Sequence, residues 1–252
     1  MIFVGMLLMG ALLGFVGAGG SGMTIALLVS VYKVPMHTAL AVAITAMIFT
    51  MLSGTISHLR EGEVEVRLGL LLGIAGMIGA FLGANVANVL PTRSLHVLTG
   101  SVMLASSVVM YFRLYRQKWL ERHIHIQKKR LTGQKLYACG IATGAFLGFI
   151  SGAFGIGATA FIQLALLIIF GLPLLQSIGT CMLVILPISL AGSFGYILNG
   201  RLDTGIFVQT VLGLVIGSFT GAKFTHLAPR PVLQAVIVAT PLFGGLVILA
   251  TR

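Results

Sequence analysis

The sequence predicts an all-α polytopic membrane protein made of two inverted-topology repeats, and three observations carry that prediction. The first is duplication. Gly79-Ala80-Phe81-Leu82-Gly83-Ala84 returns 138 residues later as Gly217-Ser218-Phe219-Thr220-Gly221-Ala222. At the same offset Pro35 falls on Pro173, Leu52 on Leu190, Gly54 on Gly192, Gly62 on Gly200, Pro91 on Pro229 and Leu95 on Leu233. The second is composition: 58% of the 252 residues are apolar and only 8% charged, where a soluble domain carries about 25% charged residues. Such a chain cannot make an ordinary wet surface. The third is the order of the apolar runs, which repeats in the two halves.

In the first half these runs cover 2–17, 22–32, 35–57, 67–90 and 94–112; in the second they cover 136–151, 156–171, 174–198, 204–227 and 231–251. Breaks fall at Lys33 and Pro35, Arg60-Glu61-Gly62, Pro91-Thr92-Arg93, Asn199-Gly200-Arg201 and Pro229-Arg230-Pro231, which are residues that end helices. The first two runs of each half are short and separated by glycines. A helix of about 11 residues rises only about 16 Å, too little for a bilayer core of about 30 Å. Each such pair reads as a helix hairpin with a glycine-rich tip, followed by three transmembrane helices, giving eight to ten helices in total. Upstream of the main match, Gly17, Gly20 and Gly22 are expected to answer Gly152, Gly155 and Gly157 at an offset of 135, with three residues gained before the proline.

The halves are residues 1–112 and 136–252, joined by a basic linker over 113–135. Eight of the sixteen Lys and Arg residues lie there, at Arg113, Arg116, Lys118, Arg122, Lys128, Lys129, Arg130 and Lys135, against one acid, Glu121. A basic loop between spans is held on the cytoplasmic side, and contact with anionic lipid heads is a second role. No aromatic-interleaved groove accompanies the charge, so nucleic acid is not an expected partner. A hairpin crosses twice or not at all, so each half crosses an odd number of times and the two halves insert in opposite senses; were each glycine pair one broken helix instead, the halves would be parallel. The loops at 58–67 and 223–231 then face the cytoplasm with the linker; those at 33–35, 91–93 and 199–203 face outward. The start, Met1-Ile2-Phe3-Val4-Gly5, lacks a basic stretch, so no cleaved signal peptide is expected. The setting is a bacterial-type cell membrane.

The acids limit the chemistry. Glu61, Glu63, Glu65, Glu121 and Asp203 are the only carboxylates, and all fall in predicted loops. Proton relays and many cation-coupled carriers use intramembrane carboxylates. Their absence speaks against that design, against paired-carboxylate hydrolysis and against an enzyme. Cys139 and Cys181 lie in apolar runs without metal-ligand spacing and read as small packed residues. No cofactor and no metal are expected.

Glycine and hydroxyl groups remain. Gly17-Ala18-Gly19-Gly20-Ser21-Gly22 and Gly152-Ala153-Phe154-Gly155-Ile156-Gly157 each precede a short helix. Glycine allows positive φ and close backbone approach, and a helix start offers free N–H groups and a positive dipole end to an anion. Candidate anion-binding residues are therefore Gly20, Ser21, Gly22, Gly155 and Gly157 at the turns, with Thr159 and Gln163 behind the second turn. Thr45, Ser53 and His58 on the helix after Pro35, and Thr180 and Cys181 on its counterpart, complete the set. Gly79, Gly83, Gly217 and Gly221 read instead as close helix packing.

Taken together, Gly17-x-x-Gly20-x-Gly22, Pro35, Ala39, Ala43, Thr45 and Ser53, His58-x-x-x-Gly62-x-Val64 and Gly79-Ala80-x-x-Gly83-Ala84 resemble the TauE/SafE sulfite exporter family. Gly152, Gly155, Gly157, Pro173, Ser177, Thr180, Gly192, Gly200 and Gly217-Ser218-x-x-Gly221-Ala222 are similar to its second repeat. The two glycine turns depart from the family's usual run of three glycines. The resemblance implies a transporter exporting sulfite, small organosulfonates or related organic anions. The expected partners are a small sulfur-containing anion and membrane lipids, with a homo-oligomer left open. An anion channel and a non-transporting structural membrane protein are the competing readings.

Overall fold

The computed structural model describes residues 2–16, 21–115, 133–156, 158–222 and 230–251. The described residues form ten helices and no strand. In order they are α1 Ile2–Val16, α2 Ser21–Ser30, α3 Met36–Arg60, α4 Val66–Val89, α5 Thr92–Tyr115, α6 Gln134–Phe154, α7 Thr159–Ile168, α8 Leu174–Leu198, α9 Thr204–Ala222 and α10 Arg230–Ala250. Five of them, α3 to α6 and α8, contain stretches long and apolar enough to cross a bilayer. Large apolar side chains stand outward around the bundle, among them Leu8, Ile78, Phe146 and Phe219. In a membrane those faces meet lipid rather than water. The all-helical, polytopic architecture is as the composition requires; the linker core at 116–132 lies outside the described residues.

The repeat corrects one expectation. The helix starts at Ser21, Met36, Val66 and Thr92 recur at Thr159, Leu174, Thr204 and Arg230, each 138 residues on, and the ends at Val16 and Phe154 keep the same spacing. Detail repeats as well. Val34 N donates to Leu28 O at 3.0 Å and Leu172 N to Leu166 O at 3.0 Å. Left-handed backbone occurs at Lys33 and Gly171, and again at Gly62 and Gly200. The offset of 135 at the glycines is therefore wrong. At 138, Gly17 answers Gly155 and Gly19 answers Gly157, while Gly10 and Gly14 answer Gly148 and Gly152. Four glycine pairs coincide at 138 against three at 135.

The two halves are interleaved. α4 packs on α6 and, reciprocally, α9 packs on α1. These seams have almost no side chain between the backbones. A Cβ at Gly79 would collide with Ala145 O and one at Gly83 with Phe149 O; a Cβ at Gly217 would collide with Leu7 O. Residues 79 and 217, and their partners 145 and 7, are again 138 apart. The packing role read for Gly79, Gly83 and Gly217 is what the seams display.

The equivalent pair α3 and α8 lies at the centre. Gly179 faces His58, Gly54 faces Met182, and Gly192 faces Ile44, so the two helices run antiparallel. The pair α5 and α10 does the same, since Gly100 faces Leu249 and Ser107 Oγ donates to Val238 O at 2.8 Å. One end of the bundle collects Arg60, Glu61, Glu63 and Glu65 beside the start of α8. At the other end Arg201 Nε donates to Asn88 Oδ1 at 2.8 Å and Asn199 Nδ2 to Asn85 Oδ1 at 2.9 Å.

Candidate anion site at two helix starts

α2 and α7 are each ten residues long, a rise of about 15 Å, half of a bilayer core. They are equivalent, and each begins within the body of the bundle. On the α7 side, α6 ends at Gly155, whose φ of 64° makes the left-handed cap and whose N–H bonds Ser151 O at 2.9 Å. Ala158 then takes φ 46° and ψ 25° as N-cap of α7 and makes no side-chain cap bond. The N-cap residue thus gives the first-turn N–H groups of α7 no side-chain acceptor, and the positive end of a helix dipole favours an anion.

Beside this start, Cys181 Sγ on α8 donates to Thr159 O at 3.5 Å. The neighbouring Thr180 hydroxyl accepts the N–H of Glu65 at 2.9 Å. Three polar atoms at the two helix starts have no hydrogen-bond partner among the described residues: Ser21 Oγ, Thr159 Oγ1 and Gln163 Oε1. Ser21 is 5% exposed and Gln163 is 6% exposed. Ser21 and Thr159 open their helices at equivalent places; Gln163 follows Thr159 by one turn on the same face.

The contrast with other hydroxyls in the bundle is informative. Ser30, Ser101, Ser189 and Thr240 each bond the carbonyl four residues back, which is how a hydroxyl satisfies itself in an apolar helix. At a helix start no such carbonyl lies behind. A buried polar atom left unpaired costs about 1–3 kcal/mol, so native proteins keep few of them. Polar atoms buried and unpaired at equivalent places are suited to a ligand.

The other expected residues distribute differently. Gly20 and Gly157 lie outside the described residues. Gly22 is packed, since a Cβ there would lie 2.6 Å from Met103 Cε. Gly155 is also packed, against Leu40 and Ile25, so it caps α6. Thr45 donates to Ala41 O at 2.7 Å and lies 2.7 Å from Ser193 Oγ; with the Thr45 proton committed, Ser193 is the donor. That pair joins α3 to α8. Ser53 does not join the site: it is exposed, on a face shared with Phe49, Leu52 and Ile56. His58 sits at the end of α3 with Nδ1 2.8 Å from Glu63 Oε2. The His58, Glu61 and Glu63 ligand atoms lie within 4.8 Å of one another, a spacing that could hold a metal ion, but the bond to Glu63 already satisfies the imidazole nitrogen. Sequence reasoning missed Thr55, Thr99, Ser151 and Thr210, all buried and unpartnered within helices. Thr55 is the counterpart of Ser193, and its failure to pair has no sequence signal.

The model of the sulfite exporter TauE/SafE family matches residues 2–248. The chain belongs to the TauE/SafE family. A probable membrane transporter protein of Bacillus subtilis strain 168, YdhB, is 39% identical over 99% of this chain and 99% of its own length. A probable membrane transporter protein of Xylella fastidiosa strain 9a5c is 26% identical, covering 94% of this chain and 90% of the relative. Another from Bacillus subtilis, YunE, is 25% identical over 80% of this chain. No solved structure matches. As a TauE/SafE protein with five helices able to span, the chain is a multi-pass membrane transporter.

Proposed function

We propose that this TauE/SafE protein exports sulfite or a small organosulfonate by alternating access between two inverted halves. The observation that carries the site is the pair of buried, unpartnered hydroxyls, Ser21 and Thr159, at equivalent starts of α2 and α7. The antiparallel run of α3 against α8 and of α5 against α10 supports the inverted arrangement. In this reading the anion is held by first-turn N–H groups and by the hydroxyls, with the Gln163 amide beside them, and no buried cation is needed. The family's printed description supports sulfite as the cargo class.

The test is efflux from anion-loaded proteoliposomes, sampled in the outer medium. Sulfite and methanesulfonate should leave faster than from protein-free vesicles. The double variant Ser21→Ala with Thr159→Val should cut the rate at least tenfold while the protein stays folded. Unchanged efflux in that variant places the anion elsewhere; electrical currents far above carrier turnover make the protein a channel.

A further inference from the structure

We infer that the α1–α9 pair is a gate that closes one end of the protein by docking on α3, along a face that stands open in this structure. The inference rests on the proposed alternation between the halves and names the parts that move.

The repeat offers an internal comparison, because each position can be set beside the one 138 residues away. α4 lies along α8. A Cβ at Gly69 would lie 2.7 Å from Leu183, one at Gly73 2.6 Å from Pro187 and one at Gly76 2.6 Å from Ile188. One at Gly195 would lie 2.9 Å from Ala84 Cβ. Just past the end of α8, Asn199 Nδ2 donates to Asn85 Oδ1 at 2.9 Å. α6, the seam partner of α4, meets α8 as well, and Tyr196 OH donates to Gly152 O at 3.0 Å.

The equivalent pair, α9 with α1, does not sit on α3 in this way. Among the described residues α9 touches α3 lightly and α1 touches it less still. The ring contact of Phe207 with Phe49, at 6.3 Å, lies at the start of α9. Further along, equivalent positions differ in cover. Ala191 and Gly195 on α8 are buried, while their counterparts on α3, Ser53 and Ser57, are exposed. Ala80 on α4 is buried, while its counterpart on α9, Ser218, is half-exposed. Tyr196 is fully buried; its counterpart His58 is half-buried and turns to Glu63 of the following loop at 2.8 Å.

The side chains nevertheless match. Exposed faces of this bundle carry bulk, such as Phe49, Leu52 and Ile56. Ser53 and Ser57 are small, four residues apart, and answer Ala191 and Gly195. On the covering helices Ala80 and Ala84 of α4 are answered by Ser218 and Ala222 of α9. Small residues on both partners allow close helix approach, so α9 is shaped to lie on α3 as α4 lies on α8. Docking of the α1–α9 pair, with release of α4 and α6 from α8, exchanges the roles of the halves and moves access from one end to the other.

Ser57→Cys with Ala222→Cys, in a background of Cys139→Ser and Cys181→Ser, tests the docking, because the equivalent positions 195 and 84 are in contact. In proteoliposomes holding the full chain this pair should form a disulfide on oxidation. Methanesulfonate efflux should then fall by about tenfold or more and return on reduction. Ser57→Phe, which fills the open face, should keep the wild-type profile on size exclusion and lose efflux by a similar factor, because α9 is barred. The inference is overturned if no disulfide forms, or if efflux continues through the linked protein or through Ser57→Phe. Aggregation of Ser57→Phe also overturns it, since the face would then be packed already. If wild-type vesicles release no sulfur anion, the cargo reading fails, and disulfide formation alone decides whether α9 reaches α3.

Discussion

Ser21 and Thr159 open their helices, and their hydroxyls, like the Gln163 amide oxygen, are buried and unpartnered among the described residues; Thr55, Thr99, Ser151 and Thr210 are unpartnered inside helices as well. Removing the groups at the two starts should separate stability from transport. Thr159→Val deletes an unpaired buried oxygen, so the melting temperature in detergent should hold or rise, by up to about 1 kcal/mol of stability. Efflux should drop. A fall in both would make the hydroxyl structural. Ala158 offers a second residue-scale prediction. Its left-handed φ of 46° costs a residue with a Cβ about 1–2 kcal/mol, and the counterpart position in the first half is Gly20. Ala158→Gly should therefore stabilise by about 1 kcal/mol or less, since glycine also loosens the unfolded chain; thermal unfolding in detergent reads it. The helix starts at Ser21 and Thr159 were legible because glycines precede each apolar run there. Ser53 was misplaced for a physical reason. A helix apolar on all sides has no stripe to tell its lipid face from its packed face, and Ser53 shares the outer face with Leu52 and Ile56.

Among the elements, the two glycine seams hold the strongest constraint. Gly79 on α4 and Gly217 on α9 touch backbone carbonyls of α6 and α1, where a side chain has nowhere to turn. Gly79→Leu and Gly217→Leu should each separate a helix pair and abolish monodisperse protein on size exclusion. Gly62→Ala should not, because open space surrounds Gly62 and only its φ of 71° resists the change, at about 1 kcal/mol. Helix boundaries were largely legible: the apolar runs 35–57 and 174–198 differ little from Met36–Arg60 and Leu174–Leu198, because prolines and charges mark bilayer exits. The register of the glycine turns was not. Glycines serve caps and seams alike, so matching them by count joined the seam glycine Gly152 to Gly17, the sequence counterpart of the cap glycine Gly155.

For the whole molecule, the central pair α3 and α8 must shift if the halves alternate. Thr45 and Ser193, with oxygens 2.7 Å apart, are placed for a cross-link. Thr45→Cys with Ser193→Cys, in a background of Cys139→Ser and Cys181→Ser, should form a disulfide on oxidation that stops efflux and releases it on reduction. Continued efflux through the linked protein would exclude relative motion of these helices as the transport step. Single cysteines at Glu61 and Asn199, which end the equivalent helices, should react with impermeant thiol reagents from opposite sides of the membrane. Labelling from one side would make the halves parallel. The interleaving of halves was invisible beforehand, since a repeat in sequence records kinship between segments and not which segment each one touches.

The reciprocal seams also bear on how the protein is made. α4 meets its partner α6 soon after the linker emerges, whereas α1 is the first helix out and, apart from a slight contact with α2, has no partner until α9 has been synthesised. Through most of translation its glycine face at Gly10 lies open to lipid or to whatever the insertion machinery provides. A chain stopped after the first half would leave that face, and the glycine face of α4, unclosed. Within one chain only the second half closes both, so the halves mature together, at the moment the last third of the protein arrives.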